Sequence, residues 1–176
     1  MDTELFKKRM GAAFIDLVTI GAVCILLHIP WKILPFPSIV FNVISFFTFI
    51  FFGAIVLLKD SPYRIEGFGV CLEHQTPGKK TMGILVTQLD GISPIDHFAS
   101  VKRNMTLAIP YYWAALLVFL QSMPIPFFKW FIISSFAIVG MLAVVGITAF
   151  EIFQIYKDPE GRRWGDKRAD TKVIAL

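Results

Sequence analysis

Residues 39–58 read IVFNVISFFTFIFFGAIVLL, a run of apolar and uncharged polar residues without a single Asp, Glu, Lys or Arg. A helix of about 20 such residues crosses the roughly 30 Å hydrocarbon core of a bilayer. Similar runs occupy residues 10–29, 105–122 and 130–152. The chain is 56% hydrophobic with a mean hydropathy of +0.66, which is unusual for a soluble domain of this length. The sequence therefore predicts a single all-α membrane domain with four transmembrane helices.

The distribution of basic residues predicts the orientation of these spans. Lys and Arg lie before the first span, between the second and third, and after the fourth, while only Lys32 and Lys129 lie in the two other connections. Because cytoplasmic loops carry an excess of Lys and Arg, both termini, segment 59–104 and tail 157–176 are expected in the cytoplasm of a bacterial inner membrane. The short, proline-containing outer connections predict two antiparallel helical hairpins with a cytoplasmic interfacial segment between them.

The cytoplasmic segment carries local structure signals. Thr76 followed by Pro77 is typical of a helix start, with threonine as the N-cap and proline in the first turn. Residues 84–87 (ILVT) then favour a short extended run, and residues 89–91 (LDG) a turn.

Two carboxylates lie within the predicted spans. A charged group in a bilayer is costly, so Asp16 and Glu151 are expected to face protein or water with a partner. Both lie in the half of the bilayer nearer the cytoplasm, and with Thr148 they form a candidate cation or proton site. The alternative is that Asp16 pairs with Arg9, Arg103 or a C-terminal basic residue and fixes the bundle.

A second hypothesis concerns charges at the cytoplasmic end of the bundle. Arg9, Asp16 and Asp166 are expected to form one network there, because Asp16 needs a partner and Asp166 lies in a basic block that can fold back on the membrane. Basic residues flanking the spans are expected to lie against anionic lipid headgroups; they are Lys79, Lys80, Arg103, Arg162 and Arg163. Since the positive charges follow the membrane boundaries, the net charge of +4 does not predict nucleic-acid binding.

Metal and enzyme chemistry find little support in the sequence. The possible metal ligands are Cys71, Glu73 and His74 together with Asp96 and His97. The two groups are far apart in sequence, and this spacing is not typical of a metal site. No nucleophile and base set is evident. We expect no metal, no cofactor and no enzymatic activity.

Three blocks of sequence resemble the RDD family of membrane proteins. They are residues 8–16 (KRMGAAFID), 75–80 (QTPGKK) with Gly83, Asp90 and Arg103-Asn104, and 158–167 (DPEGRRWGDK) with Thr171 and Val173. The family is named for an arginine at the start of its first helix, an aspartate within it and a later aspartate. The resemblance assigns these roles to Arg9, Asp16 and Asp166, and it implies a membrane protein for which ion or small-ligand transport has been suggested. Asp170 departs from the small residue that the family tends to have there.

The leading functional hypothesis is ion- or proton-coupled transport, which four spans of this length would perform as a homo-oligomer. The rival hypothesis is a non-transporting accessory or regulatory subunit that binds another membrane protein. Small residues at every third position of the fourth span, from Ser134 to Ala149, would let other helices approach closely in either case.

Overall fold

The computed structural model describes residues 3–33, 37–62, 64–67, 70–73, 75–123 and 129–176, with the backbone alone for residues 30–32, 64–67, 70–73 and 129. Its elements follow the chain as α1 (Thr3–Ile33), α2 (Ser38–Leu58), β1 (Arg64–Gly67), β2 (Val70–Glu73), α3 (Pro77–Met82), β3 (Ile84–Gln88), α4 (His97–Ser122), α5 (Lys129–Lys157), α6 (Trp164–Arg168) and β4 (Thr171–Ala175).

Four of these helices, α1, α2, α4 and α5, are long and apolar enough to cross a membrane. Two of them begin earlier than their apolar runs predict. α1 already includes the basic residues before position 10, and α4 begins at His97 after Asp96, whose carboxylate caps the helix by accepting from the Ala99 amide at 2.6 Å. A helix thus continues beyond its membrane-compatible part when a good N-cap precedes it.

Two close approaches between long helices are made at glycines. α2 packs antiparallel on α4, where a Cβ on Gly53 would lie 2.8 Å from the Tyr112 ring. α5 runs antiparallel to α4, where a Cβ on Gly140 would lie 2.0 Å from Trp113 Nε1. Helices in lipid associate through such small residues. Of the small residues from Ser134 to Ala149, Gly140 is buried, and the others spaced at every third position are exposed.

α1 lies beside α2 and crosses α3. The His28 ring is 5.9 Å from the Phe41 ring, and at the opposite end of the pair Asp16 and Lys59 line the same groove. α3 begins as the sequence predicts, with Thr76 as N-cap and Pro77 in the first turn, and it ends at Gly83, whose φ of +60° is in the left-handed region.

The expectation of an all-α protein needs correction, because the mostly helical chain also forms two antiparallel two-stranded sheets in its described part. β1 pairs with β2 inside the central segment. β3, the predicted extended run, pairs with β4 at the C-terminus in the register Ile84 opposite Ala175 and Gln88 opposite Thr171. A small core of Ala12, Ile84, Val86, Ile95 and Val173 packs this second sheet against α1. The C-terminal tail is therefore joined to the central segment.

Candidate functional site

One end of the helix bundle contains a network of buried ion pairs, which we call the charge network; its members are Arg9, Asp60, Lys79, Arg103, Arg163 and Asp166. Asp166, in α6, is fully buried and accepts from three guanidinium groups. Arg9 Nη2 lies 2.5 Å from Asp166 Oδ2, while Arg103 Nε and Arg163 Nε lie 2.6 and 3.3 Å from Oδ1. Burial alone would raise the pKa of Asp166, but Arg103, Arg9 and Arg163 together hold it far below its ordinary value.

Asp60 is the second anionic centre of the charge network and is also fully buried. Its two carboxylate oxygens pair with Lys79 and Arg103, and its Oδ2 accepts from Asn104 Nδ2 at 2.9 Å. Arg103 thus bridges Asp60 and Asp166 and joins the end of α2 to α6 through α4. Buried charges are tolerated in proteins when they are paired and hydrogen-bonded in this way.

α6 packs in backbone contact with α4 beside the charge network. A Cβ on Gly165 would be 2.1 Å from the carbonyl oxygen of Arg103, so only glycine allows this approach. Beside it, Arg163 Nη2 donates to Asn104 Oδ1 at 2.7 Å. Burial and the neighbouring Arg103 lower the pKa of Arg163 to about 10. Arg9 adds a further link by donating to the Gly161 carbonyl at 2.5 Å.

The prediction that five basic residues face lipid headgroups is wrong for three of them. Lys79, Arg103 and Arg163 are 7%, 3% and 8% exposed and belong to the charge network. Lys80 is exposed, and Arg162 is partly exposed and pairs with Asp158 and Glu160 at 3.5 and 3.2 Å. A basic residue can be buried when a carboxylate from a segment far away in sequence pairs with it, and a hydropathy pattern does not predict that pairing.

The structure brings Arg9 and Asp166 together as expected, but Asp16 has different partners. Its carboxylate accepts from Thr76 Oγ1 at 2.7 Å and from the Gly78 amide at 2.9 Å. A Cβ on Gly78 would lie 2.1 Å from the Ala12 carbonyl oxygen, so glycine lets α3 sit directly on α1. Among the described residues, Asp16 is thus satisfied by neutral donors at the start of α3, and it forms no ion pair with Arg9.

Glu151, near the end of α5, is 5% exposed. Its Oε1 accepts from Thr106 Oγ1 of α4 at 2.8 Å, a partner that the sequence analysis did not identify. Its Oε2 has no hydrogen-bond partner among the described residues. Thr148, the partner proposed from the sequence, instead donates to the Val144 carbonyl of its own helix at 2.8 Å.

Asp16 and Glu151 both line a cavity of about 200 Å³, which we call the central cavity. The other charged groups on its wall are basic: Arg9, Lys59, Lys79, Arg103 and Arg163. Aliphatic side chains, including Leu107, Ile152 and Val173, complete it, and Thr148 also contributes. Its wall thus combines aliphatic surface with two carboxylates and several basic side chains.

The residues considered for metal binding are only partly described. The side chains of Cys71, Glu73 and His74 lie outside the described residues, and Asp96 is engaged as the cap of α4. Within the part of the chain that the structure describes, no three His, Cys, Asp or Glu residues are grouped to hold a metal ion.

Four long apolar helices and a buried charge network at one end define a helical, membrane-type protein. The RDD family model matches residues 4–170, nearly the whole chain, and the chain belongs to this family. Arg9, Asp16 and Asp166, the residues that the resemblance singles out, all lie in the matched region. No curated protein and no solved structure matches the chain.

Proposed function

We propose that this RDD protein is a transporter in the bacterial inner membrane that moves protons, or an ion in exchange for protons, with Glu151 as the proton-binding group. The observation that carries the proposal is the Glu151 carboxylate itself. It is buried, and one of its oxygens has no hydrogen-bond partner among the described residues although the group lines the central cavity. A carboxylate in a membrane helix is a functional candidate by default.

The electrostatic setting favours a proton over a metal cation at Glu151. The central cavity is lined by five basic side chains and two acidic ones, and Asp16 already accepts two hydrogen bonds. Four of those basic side chains are already paired with Asp60 and Asp166. On the cavity wall a metal cation would find one carboxylate oxygen, Glu151 Oε2, without a partner among the described residues, whereas a proton bound to Glu151 leaves a neutral group. A cavity of about 200 Å³ has room for water, and the charged side chains on its wall offer hydrogen-bond partners, so we propose that water there carries the proton.

The arrangement of charges supports the proposed topology. The charge network links the start of α1, the end of α2 and the start of α4, and the Thr106–Glu151 hydrogen bond holds the end of α5 beside the same part of α4. These contacts support a topology in which the four ends lie on one side. With the positive-inside rule, we propose that this side is cytoplasmic, that both termini lie there, and that the helices form two hairpins. Reporter fusions at residue 60 and at Leu176 should both report cytoplasm; an external C-terminus would contradict the topology.

The rival role is a non-transporting subunit that binds another membrane protein. Exposure of Ala143, Gly146 and Ala149 on α5 favours it, because small exposed residues let a further helix approach closely. The same surface would serve a homo-oligomer of the transporter. Mass determination of the protein purified in mild detergent separates a homo-oligomer from a stoichiometric complex with another protein.

The test of transport is ion flux in proteoliposomes. Wild-type protein should dissipate an imposed pH gradient, alone or in exchange for a cation from a panel of Na⁺, K⁺ and Li⁺. Glu151→Gln should abolish this flux, since the amide cannot bind and release a proton. Glu160→Gln is the matched control, because Glu160 is an exposed carboxylate near the same end.

Two outcomes would overturn the proposal. One is a wild-type protein that is folded and inserted but inactive under every gradient. The other is a folded Glu151→Gln variant with undiminished flux.

Thr106→Val should retain flux with a shifted pH dependence, because it removes the hydrogen bond to Oε1 but leaves the carboxyl group in place.

A further inference from the structure

A second cavity of about 240 Å³ opens between α1 and α2, and we call it the α1–α2 groove. Its walls are formed by side chains of two helices: Thr19, Ile20 and Val23 from α1, and Phe52, Ile55 and Val56 from α2. Val23 and Ile55 are about 40% exposed, so the groove is open at the surface that faces lipid if these helices span the membrane. An open apolar groove in that position accommodates an acyl chain.

The polar groups of the groove all lie at one end. Asp16, Lys59, Thr76 and Pro77 line it there, next to the charge network. Asp16 and Thr76 are bonded to each other, and Asp16 also accepts from the Gly78 amide. The remaining ionic group is the ammonium of Lys59.

Lys59 differs from its basic neighbours in having no direct partner among the residues that the structure describes. Arg9, Lys79, Arg103 and Arg163 each pair with Asp60 or Asp166. Lys59 is partly buried and makes no direct ion pair or hydrogen bond with the described residues, although the Asp16 carboxylate attracts it from a longer distance. An ammonium group without a direct counter-ion in an apolar groove is unfavourable, and an anionic group placed beside Lys59 would stabilise its charged form.

We propose that the α1–α2 groove binds an anionic phospholipid, with one acyl chain against Val23 and Ile55 and the phosphate on Lys59. Basic pockets between membrane helices on the cytoplasmic side are where anionic headgroups bind. A zwitterionic lipid carries its own ammonium group beside the phosphate, so its attraction to the Lys59 ammonium is weaker. The inference requires that the helices lie in a bilayer, and it does not require that the chain transports ions.

Native mass spectrometry tests the site. The purified protein would be titrated with dioleoyl-phosphatidylglycerol and, separately, with dioleoyl-phosphatidylcholine of the same chain length. Wild-type protein should prefer the anionic lipid. Lys59→Gln should reduce this preference by about fivefold, which corresponds to ~1 kcal/mol for one basic residue at an anionic surface. Lys157→Gln is the matched control, since Lys157 is an exposed lysine at the end of α5.

A second variant separates the groove from general charge effects and does not depend on the folding of Lys59→Gln. Val23→Trp fills the groove and keeps Lys59, so it should weaken binding of both lipids. Equal lipid preference in the Lys59 and Lys157 variants would overturn the proposal, and so would undiminished phosphatidylglycerol binding by Val23→Trp. A second protein chain occupying the groove in the purified sample would likewise exclude a lipid there.

Discussion

Asp166→Asn is the perturbation that tests the charge network most directly. Asparagine keeps the size of the side chain and one carbonyl oxygen, but it removes the negative charge that Arg9, Arg103 and Arg163 share. Asp166 is fully buried, so water cannot replace that charge. Removing one partner of a buried ion pair costs about 3–5 kcal/mol. For a chain of this size, each kcal/mol shifts Tm by about 2–4 °C, so we expect a loss of about 6–20 °C.

The assay is thermal unfolding in mild detergent, followed by intrinsic tryptophan fluorescence. Asp170→Asn is the matched control, because Asp170 is exposed and its φ of +52° suits asparagine. We expect its Tm to stay within about 1–2 °C of wild type, as for most exposed substitutions. An Asp166→Asn variant equally close to wild type would refute the view that this network stabilises the fold.

The pH dependence gives an independent check on Asp166. Its pKa in the folded protein lies far below the value of about 3.9 in an unfolded chain. Its stabilising contribution is therefore complete above about pH 4 and is lost as pH falls towards the folded pKa. The Tm difference between wild type and Asp166→Asn should be constant from pH 8 to 5 and should narrow below about pH 4. A difference that shrinks already between pH 7 and 5 would contradict this electrostatic account.

Three further predictions follow from single positions. Gly78→Ala should lower the free energy of unfolding by about 1–3 kcal/mol, because its Cβ would lie 2.1 Å from the Ala12 carbonyl oxygen. Gly146→Ala is the control, since a Cβ there meets open space and should leave the stability unchanged. Equal Tm values for the two variants would exclude the close contact at Gly78. Asp170→Val should cost about 1–2 kcal/mol at its positive φ and Asp170→Gly much less, as measured by thermal unfolding; equal losses would argue against a left-handed turn. Burial lowers the pKa of Lys59 to about 7. In lipid-free detergent, the rate of acylation of Lys59 should therefore rise through a midpoint near pH 7, as the ammonium loses its proton. A midpoint near pH 10 would contradict this burial.

The long helices could be predicted from sequence because an uncharged run of about 20 residues has few other physical explanations. The start of α3 could also be predicted, since Thr76 and Pro77 act on backbone groups within one turn. The apolar run at 105–122 predicts a membrane span but does not report where the helix that contains it begins. The helix in fact extends back to its cap at Asp96.

The sheet between β3 and β4 and the composition of the charge network could not be predicted in this way. Both depend on segments far apart in sequence, and no local pattern specifies which carboxylate an arginine reaches. Arg103 carries the same signal as any basic residue that flanks a span, yet it is buried between Asp60 and Asp166. Asp16 was correctly expected to need a partner, but the donor is a helix start in the central segment.

The three sequence blocks that resemble the RDD family meet at this end of the structure. The first contributes Arg9 and Asp16, the second α3 and Arg103, and the third Asp166. The blocks contact one another through these groups. Asp16 accepts hydrogen bonds from the start of α3, and Asp166 accepts from Arg9 of the first block and Arg103 of the second. Loss of the Asp166 charge therefore removes the carboxylate partner of Arg9 and one of the two carboxylate partners of Arg103. The three blocks are therefore linked by buried ion pairs and hydrogen bonds beside the central cavity.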